Sequence, residues 1–324
     1  MRGVPQAPQK RKPSGFPRPH DAQIVTGRVY DAPPPPARGR FRRAVYDGTL
    51  TPDPTEITLR NRLTLSYVDQ GNPSAPAVVL LHGLVDSWRS FDRVLPHLPA
   101  SVRAIVPSQR GHGDSDRPET GYRTRDFASD VALLLDALGV TSAVVHGLSS
   151  SSLVAQRFAI DNPGRTAGIV LEGSFATLRG NQAAESVVAS AISTLREPID
   201  PDFVRGFQAG ILAQPVPQAF LDTLVREGLK VPARVWREAF EGLLQDDHSA
   251  ELRDITAPTL ILWGDRDAVI GRDQQDVLAS GIPTSELAVY AGCGHALHWE
   301  EPRRFAADLV AFVQRASAPI GVSD

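Results

Sequence analysis

Four consecutive serines follow an apolar run in the stretch VVHGLSSSSLVAQ, residues 144–156. Core packing explains them poorly, because each buried hydroxyl needs a hydrogen-bond partner. One chemical explanation is a nucleophile elbow, a sharp strand-to-helix turn that presents a serine to a substrate. Serine is also favoured at the start of a helix, and Ser151 or Ser152 is interpreted as such a helix cap.

The spacing of small residues favours Ser149 as the nucleophile. The residues two before and two after a nucleophile must be small, since their side chains would collide across the turn. Ser149 has Gly147 and Ser151 at these positions. A nucleophile at Ser150 would place Leu148 at a crowded position, and one at Ser151 would extend the strand through Gly147 and Leu148. We therefore predict that Ser149 is the nucleophile.

A serine hydroxyl is a poor nucleophile until a base, itself oriented by a third group, takes its proton. His295 follows Gly-Cys-Gly after the last apolar strand, and His298 is the alternative base. Two acids are candidates: Asp267 in LWGDRD, and Glu172 at the end of the strand after the serines. One base and one acid from these four residues would complete a catalytic triad with Ser149.

Short apolar strands alternate with amphipathic helical segments from about residue 55 onward. The stretch EITLRNRLTLSYVD alternates as a β-hairpin does. Strand and helix in alternation predict an α/β fold, with a mostly parallel central sheet covered by helices on both faces. The predicted strands are Ala77–Leu81, Arg103–Pro107, Ala143–His146, Gly168–Leu171, Thr259–Trp263 and Glu286–Tyr290. The predicted helices lie near residues 88–98, 124–138, 152–161, 272–280 and 302–315.

One long segment breaks this alternation. Residues 175–249 contain helical stretches and prolines but no clear strand. An insertion between two strands of a parallel sheet lies above the carboxyl edge, where α/β proteins bind ligands. We therefore predict a helical lid at 175–249 and a core formed by 53–174 and 250–318. The proline- and arginine-rich residues 1–52 are predicted to form a disordered or loosely attached arm.

The order of these motifs resembles the α/β-hydrolase fold family from about residue 55 to residue 315. LLHGLVDSW resembles the family's oxyanion loop, and QRGHGDS resembles its glycine-rich loop after the fourth strand. HGLSSSSLVAQRFA resembles the elbow and its helix, LWGDRD the acid loop, and GCGHALHWEEP the histidine loop. The sequence departs from the family pattern at Ser151, usually a glycine, at Leu148, often a histidine, and at Ser108, often an aspartate.

The resemblance implies roles for the candidate residues. It favours His295 as the base and Asp267 as the acid, and it keeps Glu172 as the alternative acid, because some members carry the triad acid there. It also implies an oxyanion hole formed by the backbone N–H groups of Leu84 and Ser150. Such donors typically contribute about 3 kcal/mol each to stabilisation of the transition state. This mechanism needs no metal and no cofactor.

A serine nucleophile predicts an ester hydrolase that acts on a carboxylic ester or lactone through an acyl-enzyme. Dehalogenases and epoxide hydrolases of the family use aspartate at the elbow, and epoxide hydrolases also use lid tyrosines, whereas all five tyrosines here lie outside 175–249. The lid aromatics, among which we expect Phe175, Trp236 and Phe240 to contact substrate, predict an apolar substrate such as a macrolide. The alternatives are a C–C bond hydrolase or perhydrolase, and a non-catalytic ligand receptor.

The composition of the chain limits the classes of binding partner and the cellular compartment that we expect. Residues 1–43 hold ten basic and two acidic side chains while the whole chain has a net charge of −3, so the rest is acidic. An acidic body argues against nucleic-acid binding. No apolar run is long enough to span a bilayer, the N-terminus lacks the apolar region of a signal peptide, and a single cysteine excludes an internal disulfide. These features predict a cytoplasmic protein with a small-molecule substrate.

Overall fold

An eight-stranded sheet lies at the centre of the protein. The computed structural model describes residues 45–46, 49–50 and 53–317. The strands within these ranges are β1 (Val45–Tyr46), β2 (Thr49–Leu50), β3 (Thr55–Thr58), β4 (Thr64–Gln70), β5 (Ala77–Leu81), β6 (Arg103–Pro107), β7 (Ala143–Leu148), β8 (Thr166–Glu172), β9 (Thr259–Gly264) and β10 (Ser285–Tyr290). β1 and β2 pair with each other, and the other eight form one sheet in the order β10–β9–β8–β7–β5–β6–β4–β3.

Most neighbouring strands of this sheet are parallel. The two antiparallel pairs of this sheet are β3–β4 and β4–β6, and all its other neighbouring pairs are parallel. The β3–β4 hairpin is the one indicated by the alternating stretch near residue 60. β5, β7 and β9 are buried along their whole length, as expected for parallel strands that helices cover on both faces. The predicted α/β class and the mostly parallel sheet are confirmed.

Helices pack on both faces of the sheet. The α-helices of the described residues are α1 (Thr124–Ala137), α2 (Ser150–Asp161), α3 (Gln182–Val187), α4 (Pro201–Ala209), α5 (Gln218–Leu229), α6 (Ala233–Gln245), α7 (Arg272–Gly281), α8 (Leu297–Glu300) and α9 (Pro302–Ala316). Successive side chains of β5 belong to two separate apolar clusters, since Val79 packs in the cluster of Phe158 from α2 and Val78 in that of Phe305 from α9. The sheet is therefore held between two cores.

The segment near residues 88–98 differs from its prediction. It forms two short 3-10 turns, Trp88–Phe91 and Leu95–His97, rather than one helix. Pro96 lies in the second turn, and a proline has no N–H group and disfavours the α conformation at the residue before it. A continuous α-helix through this segment is therefore blocked.

The chain between β8 and β9 is mostly helical. It contains α3 to α6 and a five-residue π-helix, Val188–Ile192. An isolated antiparallel bridge joins Thr177 to Asp247, and the Thr177 hydroxyl donates to the carbonyl oxygen of Asp246 at 2.9 Å. The two ends of the helical segment 178–246 are therefore bound to each other.

Apart from β1 and β2, the arm predicted at residues 1–52 lies outside the described residues, as does residue 318 of the predicted core. Within the described ranges, no helix combines the length and apolar character that crossing a bilayer requires.

Candidate active site

Ser149 lies at the sharp turn between β7 and α2. Its dihedral angles, φ 54° and ψ −116°, are rare for a residue with a side chain. A Cβ atom at Gly147 would stand 2.0 Å from the carbonyl oxygen of Ser151, so a larger residue cannot fit there. The Ser149 N–H donates to the carbonyl oxygen of Glu172 at 2.8 Å, which holds the turn against the end of β8. The local sequence thus builds a strained elbow at Ser149.

The two serines interpreted as helix caps have other positions. α2 begins at Ser150, and the Ser151 hydroxyl donates to the carbonyl oxygen of His82 at 2.5 Å and accepts from Nε2 of Gln109 at 2.9 Å. The Ser152 hydroxyl is buried and has no hydrogen-bond partner among the described residues. The cap interpretation is therefore wrong, and Ser151 instead joins α2 to the loop after β5.

His295 and Asp267 form a buried pair beside the elbow. Nδ1 of His295 lies 2.8 Å from Oδ2 of Asp267. The other oxygen, Oδ1, accepts from the backbone N–H groups of Val269 and Ile270 at 2.8 and 2.9 Å. Burial acts to lower the pKa of His295, but the charge and hydrogen bond of Asp267 outweigh burial and raise it. A carboxylate on Nδ1 fixes the tautomer that leaves Nε2 able to accept a proton.

The alternative acid and the alternative base pair with each other. Oε1 of Glu172 lies 2.8 Å from Nδ1 of His298, and Oε2 lies 2.9 Å from Nε2 of His146. Nε2 of His298 lies 3.1 Å from the Ser90 hydroxyl. Burial acts to raise the pKa of Glu172, but the charges and hydrogen bonds of the two histidines outweigh burial and lower the pKa to about 2. This fully buried network is separate from the pair formed by His295.

The two predicted oxyanion donors belong to two different loops, Leu84 to the loop after β5 and Ser150 to the elbow. Ser150 is the first residue of α2, so its N–H has no carbonyl partner four residues earlier within the helix. Leu84, in the loop after β5, lines the same cavity as Ser149. The next residue, Val85, has φ 64°, which is strained for a β-branched side chain. Strain of this kind is often concentrated in functional loops.

His82 holds the loop that carries Leu84. Its Nδ1 lies 2.7 Å from the carbonyl oxygen of Gly83, and its Nε2 accepts from the backbone N–H of Gln109 at 3.0 Å. Burial lowers the pKa of His82 well below its ordinary value, and the charge of the nearby His112 acts in the same direction. A neutral imidazole with one donor and one acceptor nitrogen fits both contacts. His82 is therefore a support of the loop.

One cavity contains both Ser149 and His295. It has about 1030 Å³ of empty space, part of which is open to solvent. No lysine or arginine is among the described residues that line it. The apolar part of the lining includes Leu84, Leu148, Phe175, Leu178, Phe207 and Phe240.

The aromatic residues expected to contact substrate are not equivalent. Phe175 and Phe240 line the cavity, but Trp236 does not. The Trp236 ring is fully buried, and its centroid lies 5.2 Å from that of Phe207, which does line the cavity. The prediction for Trp236 is therefore wrong, because this ring packs behind the cavity wall.

Sequence reasoning missed the two buried polar residues Asp86 and Gln208, which line the cavity. Both are almost fully buried, and Nε2 of Gln208 donates to Oδ1 of Asp86 at 2.7 Å. The signal for Asp86 was its place in LLHGLVDSW, two residues after Leu84. For Gln208, nothing in the helical pattern of its segment marked it.

Two further observations bear on the chemistry. The Ser149 hydroxyl makes no hydrogen bond to His295 within the described residues; contacts of this kind are often long until substrate is bound. In the described part of the chain, no group of three or more His, Cys, Asp and Glu side chains is placed to bind a metal ion.

The loops that carry Ser149, Asp267 and His295 follow β7, β9 and β10, so they meet at the carboxyl edge of the sheet. This is the arrangement found in hydrolases with this fold. The chain belongs to the α/β-hydrolase fold family, whose model matches residues 76–302. The resemblance found in the sequence is thereby confirmed.

The proteins to which this chain is similar are named for different reactions. It is 32% identical, over 78% of its length and 92% of the relative, to 2-hydroxy-6-oxononadienedioate/2-hydroxy-6-oxononatrienedioate hydrolase 2 of Pseudomonas putida. It is 26% identical, over 80% of its length and 99% of the relative, to a non-heme chloroperoxidase of Streptomyces lividans. Among solved structures, an esterase from Rhodococcus sp. ECU1013 matches with a TM-score of 0.71 and 29% identity, over 82% of this chain and 100% of that one.

Proposed function

We propose that this protein is a serine hydrolase that cleaves a carboxylic ester or lactone with a bulky apolar group. The observation that carries the proposal is the cavity itself, in which Ser149 and His295 face a lining that is mostly apolar and has no cationic side chain. A mostly apolar pocket with a few polar groups is typical of a small-molecule site. The Rhodococcus esterase of similar structure supports ester chemistry.

The geometry supports acyl transfer to water. Ser149 Oγ attacks the ester carbonyl while Nε2 of His295 takes its proton, and Asp267 stabilises the imidazolium that forms. The N–H groups of Leu84 and Ser150 donate to the oxyanion. His295 then protonates the leaving alkoxide, and a water activated by the same histidine hydrolyses the acyl-enzyme.

A C–C bond hydrolase is the second candidate, and the Pseudomonas putida relative at 32% identity supports it. The substrate in that relative's name is a dioate, which carries two carboxylates. Two buried negative charges need cationic partners, and the described lining of this cavity offers no lysine or arginine. The lining therefore favours an uncharged ester over a dicarboxylate. A perhydrolase remains the third candidate, since a chloroperoxidase is also a relative.

The proposal is tested by labelling and by comparison of substrates. A fluorophosphonate probe should label the protein, and peptide mapping should place the label on Ser149. The wild-type protein should then hydrolyse p-nitrophenyl hexanoate with a higher kcat/KM than 2-hydroxy-6-oxononadienedioate. The reverse order would favour the C–C hydrolase. A protein that binds the probe nowhere and turns over neither compound would instead be a non-catalytic receptor.

A further inference from the structure

Asp86 occupies an unusual place for a carboxyl group. It lies on the oxyanion loop two residues after Leu84, it is 2% exposed, and it lines the cavity of Ser149. Its Oδ2 lies 3.7 Å from the point where a Cβ atom of Gly83 would stand, and the Leu148 side chain lies 3.2 Å from the same point. The carboxyl group is therefore close to Gly83 and Leu148, the residues that precede the proposed oxyanion donor Leu84 and the proposed nucleophile Ser149.

The two oxygens of Asp86 have different surroundings. Oδ1 accepts from Nε2 of Gln208 on α4 at 2.7 Å, whereas Oδ2 has no hydrogen-bond partner among the described residues. Burial raises the pKa of Asp86 to about 8, against a lowering by the Gln208 hydrogen bond and with a further increase from the charge of Glu227. A pKa of about 8 favours the neutral carboxylic acid at pH 7. Because Oδ1 already accepts a hydrogen bond, the proton belongs on Oδ2.

We propose that Asp86 and Gln208 form a polar subsite in which Oδ2–H of Asp86 donates to an uncharged keto or hydroxyl oxygen of the substrate. The inference rests on the proposed esterase function. A purely alkyl group against Asp86 would leave this donor unpaired, and a site that is built to hydrogen-bond rejects an analogue that lacks the oxygen. A carboxylate would bring a charge that no lining cation balances. The substrate class is thus an apolar ester that carries a neutral oxygen function within reach of Asp86 in the cavity.

Three p-nitrophenyl esters of equal chain length test the subsite: hexanoate, 5-oxohexanoate and 3-hydroxyhexanoate. The wild-type protein should hydrolyse at least one oxygenated ester with a kcat/KM about tenfold above that of hexanoate, the size expected for one hydrogen bond. Asp86→Leu should reduce this ratio to about one, whereas Asp86→Asn should keep it, because its amide still donates. If the Asp86→Leu variant does not fold, Asp86→Ala is used in its place.

Asp92 provides the matched control. It is a second buried carboxyl group of the same region with a pKa raised by burial to about 7, but it does not line the cavity. Asp92→Asn should therefore leave the ratio unchanged. Equal rates on all three esters, or a preference that survives in Asp86→Leu, would overturn the subsite alone. Failure to hydrolyse any of the esters, together with no fluorophosphonate label on Ser149, would overturn both the subsite and the proposed function.

Discussion

Glu172 binds His298 twice: its Oε1 accepts from the backbone N–H at 3.1 Å and lies 2.8 Å from Nδ1. His298 is three residues after His295, so these contacts fix the loop that carries the proposed base. The carbonyl oxygen of Glu172 also accepts from the N–H of Ser149. One residue therefore connects the loops of the proposed nucleophile and base, and its carboxylate is occupied by other histidines.

Asp267→Asn should impair catalysis far more than Glu172→Gln. The asparagine variant should lose about 10⁴-fold in kcat, because an amide neither fixes the tautomer of His295 nor stabilises its cation. Glu172→Gln removes no contact of the reacting nitrogen and should cause a much smaller loss. Turnover of p-nitrophenyl hexanoate measures both. A larger loss in Glu172→Gln would identify Glu172 as the acid.

Glu172→Gln should lower the free energy of unfolding at pH 7 by about 1–3 kcal/mol, because a buried hydrogen-bonded network loses its central acceptor. The pKa of Glu172 falls from 4.5 to about 2 in the folded protein, so the carboxylate stabilises the fold above pH 4.5. This contribution is lost as the pH falls toward 2. The difference between wild type and variant in urea unfolding should therefore shrink over that interval. A difference that stays constant would show that Glu172 is not ionised in the folded state.

The acid limb of kcat/KM should have its midpoint above pH 6.5. The proposed mechanism needs neutral His295, and Asp267 raises the pKa of that imidazole against the effect of burial. Asp267→Asn should move the midpoint to lower pH. Asp265→Asn is the control, since Asp265 accepts from the Gly292 N–H instead and does not contact His295. A wild-type midpoint below 6.5 would contradict the raised pKa.

Ser149→Ala should lower kcat by about 10⁶-fold, because nucleophile and base act as a unit. Ser150→Ala should keep most of the activity and its fluorophosphonate label, since only the backbone N–H of that residue is used. Circular dichroism checks that both variants keep the fold. An inactive Ser150→Ala beside an active Ser149→Ala would show that the elbow is shifted by one residue.

Phe240→Ala should change substrate preference, and Phe203→Ala should not. Both rings lie near Trp236, with centroid distances of 6.4 and 5.7 Å, so both truncations leave a void beside it. Only Phe240 lines the cavity. Its loss should lower the preference for hexanoate over acetate by about tenfold, as expected when an acyl chain loses an apolar contact. An equal change of the hexanoate-to-acetate preference in both variants would show that it arises from disturbed helix packing and not from the cavity lining.

The fold was largely readable from the sequence because buried parallel strands leave continuous apolar runs, such as β5 and β9. The elbow could also be predicted from the sequence. The carbonyl oxygen of Ser151 lies so close to Gly147 that a side chain does not fit there, and this requirement leaves a glycine in the sequence. His295 and Asp267 lie on separate loops. Spacing alone did not exclude His298 or Glu172, because only the tertiary fold decides which carboxylate meets which imidazole.

The errors have physical causes as well. Trp236 and Phe240 lie four residues apart on one face of α6, so helical spacing cannot tell which ring reaches the cavity. The Phe207 ring on α4 packs against both rings, and the structure places Phe240 in the cavity lining and Trp236 behind it. The sequence marks Asp86 only as an acidic residue, because the burial that raises its pKa to about 8 is created by the tertiary fold.

The bridge between Thr177 and Asp247 has a consequence for evolution and design. The bridge holds the two ends of the helical segment 178–246 together. The segment is therefore a closed loop, and the conformational entropy lost in closing it is a cost of forming the bridge. Closure entropy grows only with the logarithm of loop length. Insertions and deletions within this segment should therefore add little closure entropy. A complete exchange, in contrast, would also have to replace the carbonyl oxygen of Ile211, which accepts from the backbone N–H of His295 at 2.9 Å.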